Sequence, residues 1–338
     1  MTKKLISLYE KGRNAAAART RALRLIYESK YGIMPPPPEH LRATLISRDR
    51  GFAAGKATLD ELLLTVSVGE RELSFRINVA LPVGASRSAA FIHLSHYDGI
   101  VDKFSPAEEI LDGGFGLISF SPDEIVLGVK KLLGINRRSL TSAGELCLAA
   151  WLTVRVFEYT ASLPELDADK IAVIGHGHLG AVAMIAAGAD ERIKYTVSSC
   201  SGIEGAEATD GNKVGATALK VSHPEWFARR YVKTAKDDIE SEAYILASTI
   251  APRHLIIGTA CDDSALDAKS ALLTARATGE IYEKIYGVER GFTEIDKSYK
   301  DEGRGGKIAY YTRGGSSYLS RDDWAVYMNY IRQTADLT

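Results

Sequence analysis

The stretch that most constrains this chain is IAVIGHGHLGAVAMIAA, from Ile171 to Ala187. Ile171 to Ile174 has the length and composition of a short buried strand. Gly175, Gly177 and Gly180 then punctuate a turn, and Leu179 to Ala187 has the apolar density of a packed helix. The glycines also read G-x-G-x-x-G, the spacing of a dinucleotide fingerprint, but a lone match of this kind carries little information. About 170 residues precede it, whereas a first mononucleotide-binding half begins near such a turn. The acidic residue expected about 20 positions on is missing too. Ser198 and Ser199 stand there instead.

The other reading of a strand, a sharp glycine turn and a helix is a nucleophile elbow, G-x-S-x-G. Such an elbow lifts a serine oxygen above the sheet edge beside the backbone N–H groups of an oxyanion hole. Gly177 stands at its centre, so the architecture is present and the nucleophile is not.

The rest of the chain supports an α/β reading. PPPP at Pro35 to Pro38 closes a helical, proline-rich lead-in over residues 1–40, and residues 41–338 read as one domain. Leu62, Leu64 and Val66, then Leu73, Phe75 and Ile77, alternate as two antiparallel strands joined by VGERE. Ala89 to Leu94 is a buried strand that opens onto SHYDG. A strand–helix rhythm follows: a helix at Ala107 to Leu111, a strand at Gly116 to Phe120, and a helix at Ala143 to Tyr159. Strands are expected at Ile171 to Ile174, Tyr195 to Ser198, His254 to Gly258 and Lys307 to Tyr311, with a closing helix at Asp322 to Ile331. This predicts a mostly parallel, doubly wound sheet with helices on both faces. Excursions at about 202–238 and 280–306 are expected over or beside the carboxyl ends of its strands.

With 42 basic and 43 acidic side chains, a formal charge of -1 and 46% hydrophobic residues, the chain has no global electrostatic reason to bind nucleic acid. Its first thirty residues are locally basic, and the spacing of Leu5, Leu8, Tyr9, Ala16, Leu23 and Tyr27 predicts a surface helix with a solvated face. The early residues lack the continuous apolar core of a secretory leader, and no stretch approaches a membrane span. The expectation is a cytoplasmic protein without a membrane partner. Cys147, Cys200 and Cys261 have no C-x-x-C spacing and are expected as buried thiols.

The elbow and its neighbours resemble bacterial α/β-hydrolases similar to acetylxylan esterases and glucuronoyl esterases. The matching phrases are PAEEILDGGFGLISF from Pro106, the segment Ala168 to Gly202, HPEWF from His223, IAPRHLI from Ile250 and RGGSSYLSRDDW from Arg313. The resemblance implies the α/β-hydrolase fold and a triad in the order Ser, acid, His. The family's serine falls on Gly177, its acid on Asp262, with Asp263 beside it, and its histidine on Ser317. A basic residue after the serine becomes His178, the tryptophan after the acid becomes Ala265, and an asparagine on the next strand end becomes Ser199. Glycine supplies no covalent nucleophile, and a serine cannot take up a proton as imidazole does. The expectation is a catalytically degenerate relative that binds a small carbohydrate- or acyl-like ligand or runs a reaction without a serine. The alternatives are a weak ester hydrolase in which His178 or His96 activates water, and an oligomeric scaffold.

What is expected to survive is the backbone cradle, formed by the His178 N–H and an N–H near Ser95 or His96. His96 and His178, with Asp98 or Asp262, are candidates for acid/base work or metal ligation; their linear spacing specifies no coordination geometry, so no metal or cofactor is assigned. His93 and His176 read as structural. His223, Trp226 and Phe227 lie on the covering excursion, either to stack on a sugar or to anchor the segment. Ser95, Gly177, His178, His223, Trp226 and Ser317 make up the expected ligand-binding set. Arg253 is expected to tie a strand junction, and Asp322 and Asp323 to start a helix.

Overall fold

The computed structural model describes residues 2–10, 14–100, 103–209, 212, 215–234, 242–295 and 306–337. Ten strands are described: β1 (His40–Asp49), β2 (Ala57–Val68), β3 (Arg71–Pro82), β4 (Ser88–Leu94), β5 (Gly116–Phe120), β6 (Leu166–His176), β7 (Tyr195–Ser199), β8 (His254–Ala260), β9 (Phe292–Ile295) and β10 (Ile308–Arg313). They form one sheet in the order β1-β2-β3-β5-β4-β6-β7-β8-β10-β9. β1, β2 and β3 pair antiparallel, β3 pairs antiparallel with β5, and all pairs from β5 to β9 are parallel. This is the expected mostly parallel sheet with an antiparallel edge.

Alternation along the parallel strands decides which residues meet which layer of helices. In β6, Ile171 and Val173 face one core while Ala172 and Ile174 face the other. β8 and β10 divide in the same way, with Leu255, Ile257, Ile308 and Tyr310 on the first side and Ile256, Ala309 and Tyr311 on the second. Strands buried on both faces read as continuous apolar runs, which is why IAVI and HLII are legible as strands without alternation. The first face is covered by helices Pro122–Leu132, Glu145–Thr160, His178–Ala189 and Ala268–Tyr286, and the second by Ala107–Asp112 and Arg321–Thr334. The last of these opens with a reciprocal cap, Ser320 accepting from the Asp323 N–H and Asp323 accepting from the Ser320 N–H.

The N-terminal basic segment departs from expectation. Helix Ala15–Ile26 is packed into the larger core through Ala18, Ala22 and Ile26, and Arg19 is only 8% exposed. Its guanidinium donates to the carbonyls of Thr249 (2.7 Å) and Gly188 (2.6 Å) and reaches Glu191 at 2.6 Å. The last carbonyls of a helix lack intrahelical partners, and here one arginine satisfies two helix ends at once. Lys30, fully buried, donates to the Ile203 carbonyl at 2.6 Å. A charge count at the sequence level cannot tell such buried basic groups from solvated ones.

Elements that the sequence does not announce include the exposed edge strand β1, β9 within the second excursion, and helices Pro122–Leu132 and Ala268–Tyr286. Residues 210, 211, 213, 214, 235–241 and 296–305, which include parts of both excursions, lie outside the described residues. The three cysteines are free as expected, but Cys261 is exposed at the end of β8 rather than buried.

His254, at the start of β8, gives the fold a pH dependence. It is 7% exposed, stacks on Tyr195, and contacts Tyr330 Oη through Nδ1 and Lys307 Nζ through Nε2, both at 2.8 Å. Burial and the neighbouring Lys307 charge push its imidazole down to about 3. Below the ordinary value near 6.5 the unfolded chain therefore takes up a proton that the folded chain refuses. This contribution to stability is complete above pH 6.5 and is lost as pH falls toward 3, up to on the order of 4 kcal/mol. Urea midpoints at pH 7, 5 and 4 should fall less steeply in His254→Gln than in the parent, and equal slopes would remove His254 from the account.

Candidate functional site

β6 ends at His176, and Gly177 leads into helix His178–Ala189 with φ 61° and ψ -138°. This is the backbone of a strained elbow, and glycine adopts it without the cost that a side chain would bring. The turn is tight: a Cβ on Gly175 would lie 2.1 Å from the Leu179 carbonyl oxygen, whereas one on Gly177 meets nothing within 4 Å. The apex is thus open above the sheet, with space for a side chain that the sequence does not supply.

Beside the apex, three side chains from three crossovers converge. His178 is the first residue of the elbow helix, His96 lies in the loop after β4, and Asp123 is in the first turn of helix Pro122–Leu132 after β5. His178 Nε2 lies 2.9 and 3.1 Å from the two Asp123 oxygens, and His96 Nδ1 lies 3.8 Å from Oδ2. The first is a hydrogen bond in which Nε2–H donates; the second is an electrostatic contact. Burial works against the charged form of Asp123, yet the His178 and His96 side chains outweigh it and hold the carboxyl well below the usual range. The histidine rings are 5.3 Å apart, and the side chains are 18% (His178), 27% (His96) and 43% (Asp123) exposed, so solvent reaches the cluster.

Asp98 and Asp262 were the expected acidic partners, and Asp123 takes that place instead. Asp262 Oδ2 accepts from the Gly315 N–H at 2.6 Å, a bond that shapes the loop after β10. Ser95 also differs from expectation. It is fully buried, its N–H donates to the Phe120 carbonyl (2.9 Å), and its Oγ accepts from the Tyr97 N–H (3.2 Å), so it holds the loop rather than a ligand. Of the expected cradle there remains the His178 N–H, the first of the elbow helix, which has no acceptor within the helix.

Trp226 forms one wall. Its ring stacks on His178 at 4.7 Å and on His223 at 3.9 Å, and His223 Nδ1 lies 3.4 Å from Glu225. The backbone there is fixed by helix Glu145–Thr160, whose first N–H groups donate to the carbonyls of Glu225 (2.9 Å) and Trp226 (3.4 Å). Gly144 is required at that junction, since a Cβ would lie 2.2 Å from the Trp226 oxygen. Phe227 is fully buried against Tyr31 and Tyr231. The two aromatic residues therefore divide the roles expected of them, Phe227 anchoring the segment and Trp226 facing the site. On the other side, Phe104 lies edge-on to His96 and stacked on His176.

The positions on which the resemblance puts a triad are connected differently. Ser317 Oγ contacts His176 Nε2 at 3.2 Å, and His176 Nδ1 contacts Ser199 Oγ at 3.1 Å. The Ser317 N–H donates to Asp263 at 2.8 Å. Burial, then the charges of His96 and Arg313, push His176 down to about 4. His176 thus links the end of β7 to the loop after β10, as a structural histidine does, and His93 is buried edge-on against Trp324. Arg253 donates to the carbonyls of Asp190 and Ile193, tying its junction as expected. Glu204, in the loop after β7, is pushed up to about 7 by burial, against the pull of Lys30 and His178. No sequence signal marked it.

Restoring the missing serine tests how deep the loss is. Gly177→Ser should fold, at a cost of about 1–3 kcal/mol for the positive-φ elbow backbone, and should hydrolyse p-nitrophenyl acetate no faster than the parent. Triad members act as a unit, so Gly177→Ser with Ser317→His should gain more than either change alone while remaining far below a natural esterase. A roughly 100-fold rise from Gly177→Ser alone would mean that a neighbouring imidazole already serves as its base.

A family model described as glucuronyl esterase, fungi, matches residues 64–286. The carbohydrate esterase MZ0003, from an unknown prokaryotic organism, is 28% identical over 192 residues, covering 54% of this chain and 43% of its own length. The 4-O-methyl-glucuronoyl methylesterase of Podospora anserina is 24% identical over 264 residues, covering 71% of this chain and 50% of its own. The chain thus spans about half the length of the curated relatives it matches. Among solved structures, a glucuronoyl esterase from Solibacter usitatus superposes with a TM-score of 0.81 at 21% identity, over 94% of this chain and 91% of that one. One from Teredinibacter turnerae gives 0.75 at 22% identity, over 95% and 84%. At these identities the superpositions establish the α/β-hydrolase fold. The elbow of this chain carries Gly177, and a His-Asp-His cluster stands beside it.

Proposed function

The chain belongs to the glucuronyl esterase family, and from that premise we propose that it binds a sugar ester or sugar acid at the His96–Asp123–His178 centre without forming a covalent acyl intermediate. The observation that carries this reading is His178 itself. It is held by Asp123 at 2.9 Å, it stacks on Trp226, and it adjoins an elbow whose residue has no side chain. A sugar acid or ester has hydroxyl and carboxyl oxygens that suit imidazole and the N–H donors at a helix start. Trp226, stacked on both His178 and His223, holds the imidazole that meets them.

A second reading is favoured by the same pair. A carboxylate that holds an imidazole in one tautomer is the orienting half of a general-base arrangement, and a water on that imidazole could attack an ester carbonyl directly. Methyl 4-O-methyl-β-D-glucopyranuronate, found in complex with a variant of the glucuronoyl esterase from Sporotrichum thermophile, is a suitable probe for both. Thermal stabilisation by this ester with no methanol released supports the binding reading. Methanol release that is lost in His178→Ala supports water activation. Neither stabilisation nor turnover, across this ester and acetylated xylose, would overturn both.

A further inference from the structure

We propose that His96, Asp123 and His178 form a site for one divalent transition-metal ion, of the Zn²⁺ class by ligand type. The three side chains offer two imidazole nitrogens and one carboxylate oxygen, all within 4.8 Å of one another. Two nitrogens and an oxygen suit Zn²⁺, Co²⁺ or Fe²⁺ and poorly suit Mg²⁺ or Ca²⁺, which take oxygen donors. Ligand atoms about 2.0–2.2 Å from a shared ion lie no more than twice that distance apart. The contacts from Asp123 Oδ2 to His178 Nε2 (2.9 Å) and to His96 Nδ1 (3.8 Å) fall inside this limit; the third pair, nitrogen to nitrogen, lies within 4.8 Å, and a small turn of the loop-borne His96 ring brings it inside as well.

The donor atoms face inward. His178 presents Nε2 to the carboxylate, and His96 presents Nδ1 to the same oxygen. For an ion to replace the proton in this contact, His178 moves its proton from Nε2 to Nδ1, with no net change in charge, and the Nε2 lone pair turns to the ion. Three protein ligands at a solvent-reached site leave a position open, as in metal sites that bind a further molecule. Rigidity comes from the surroundings: Trp226 stacks on the His178 ring and Phe104 lies edge-on to His96. Asp123 is set by the first turn of a helix that begins with Pro122. The three ligands come from the turns after β4, β5 and β6, so the ion would sit at the carboxyl edge of the sheet, beside the open elbow apex.

The ion would occupy the centre proposed for the sugar ligand. Uptake of the ion alone is measured without sugar, so failure of one does not imply failure of the other. The test uses the full chain on a Cys261→Ser background, which removes the exposed thiol as a competing ligand. Equilibrium dialysis against Zn²⁺ should find one equivalent bound, and Co²⁺ should give the visible d–d absorption of a four- or five-coordinate ion. His96→Ala, Asp123→Asn and His178→Ala should each weaken uptake by at least roughly 100-fold, while His40→Ala, on the exposed edge strand β1, leaves it unchanged. Should His178→Ala fail to fold, His96→Gln in the loop carries the same expectation. No bound equivalent in the parent, or full uptake in both Asp123→Asn and His96→Gln, would overturn the site.

Discussion

Gly175→Ala should destabilise the chain by about 3 kcal/mol or more, although it adds a single methyl group. The added Cβ would fall 2.1 Å from the Leu179 oxygen and 2.3 Å from its carbonyl carbon. Both are backbone atoms of a helix packed on all sides, so neither can turn away as a side chain would. Relief requires the elbow helix to lift from β6, breaking contacts of Val182 and Ile185, which are fully buried in the larger core. Gly177→Ala, two residues on, is the control. It meets nothing within 4 Å and carries only the penalty of its positive-φ backbone, about 1–3 kcal/mol. Urea denaturation of the two variants should therefore separate them clearly, and equal losses would mean that the close strand–helix packing at Gly175 is not what holds the elbow.

The second large effect is expected at His178. Its bond to the Asp123 carboxylate is charge-assisted and fixes the imidazole, and at a site this open to solvent it contributes about 1 kcal/mol or less to folding. If a ligand draws on that imidazole, His178→Ala should weaken its binding by about 10- to 100-fold, and should also release Trp226 from one of its two stacked neighbours. Asp123→Asn should act in the same direction, because a neutral amide no longer holds the imidazole by a charged acceptor. Both side chains are partly solvent-reached, so these changes should lower affinity with little loss of folding stability.

The sheet and the elbow were legible because their signals are local. A run of apolar residues, three glycines in six positions and the recurring strand–helix rhythm each depend on neighbours in the chain. The vacant apex at Gly177 and the structural character of His93, His176 and Arg253 could be read in the same way. The partner of His96 and His178 could not. Asp123 lies 55 residues from His178 in sequence, and only the parallel pairing of β5, β4 and β6 brings the three turns together. A signal was present: Ser121, Pro122, Asp123 and Glu124 are the signature of a helix start, with proline in the first turn and acidic residues after it. Recognising that helix would have placed a carboxylate at the carboxyl end of β5, beside the loop after β4. Arg19 and Lys30 failed in the opposite direction. Their burial depends on carbonyl groups at Gly188, Thr249 and Ile203, supplied by remote segments, and no local pattern reveals an acceptor so far along the chain.

The central claim is that the working centre of this chain is His96–Asp123–His178 and not the positions that the resemblance assigns to a triad. Titration calorimetry of the uronate ester against the parent, His178→Ala and Ser317→Ala tests it most directly, because Ser317 is the residue on which the resemblance puts the family's histidine, and it contacts His176 rather than the cluster. The prediction is binding to the parent, unchanged affinity in Ser317→Ala and a loss of at least about 10-fold in His178→Ala. Loss of binding in Ser317→Ala with full affinity in His178→Ala, or no binding to the parent, would contradict it.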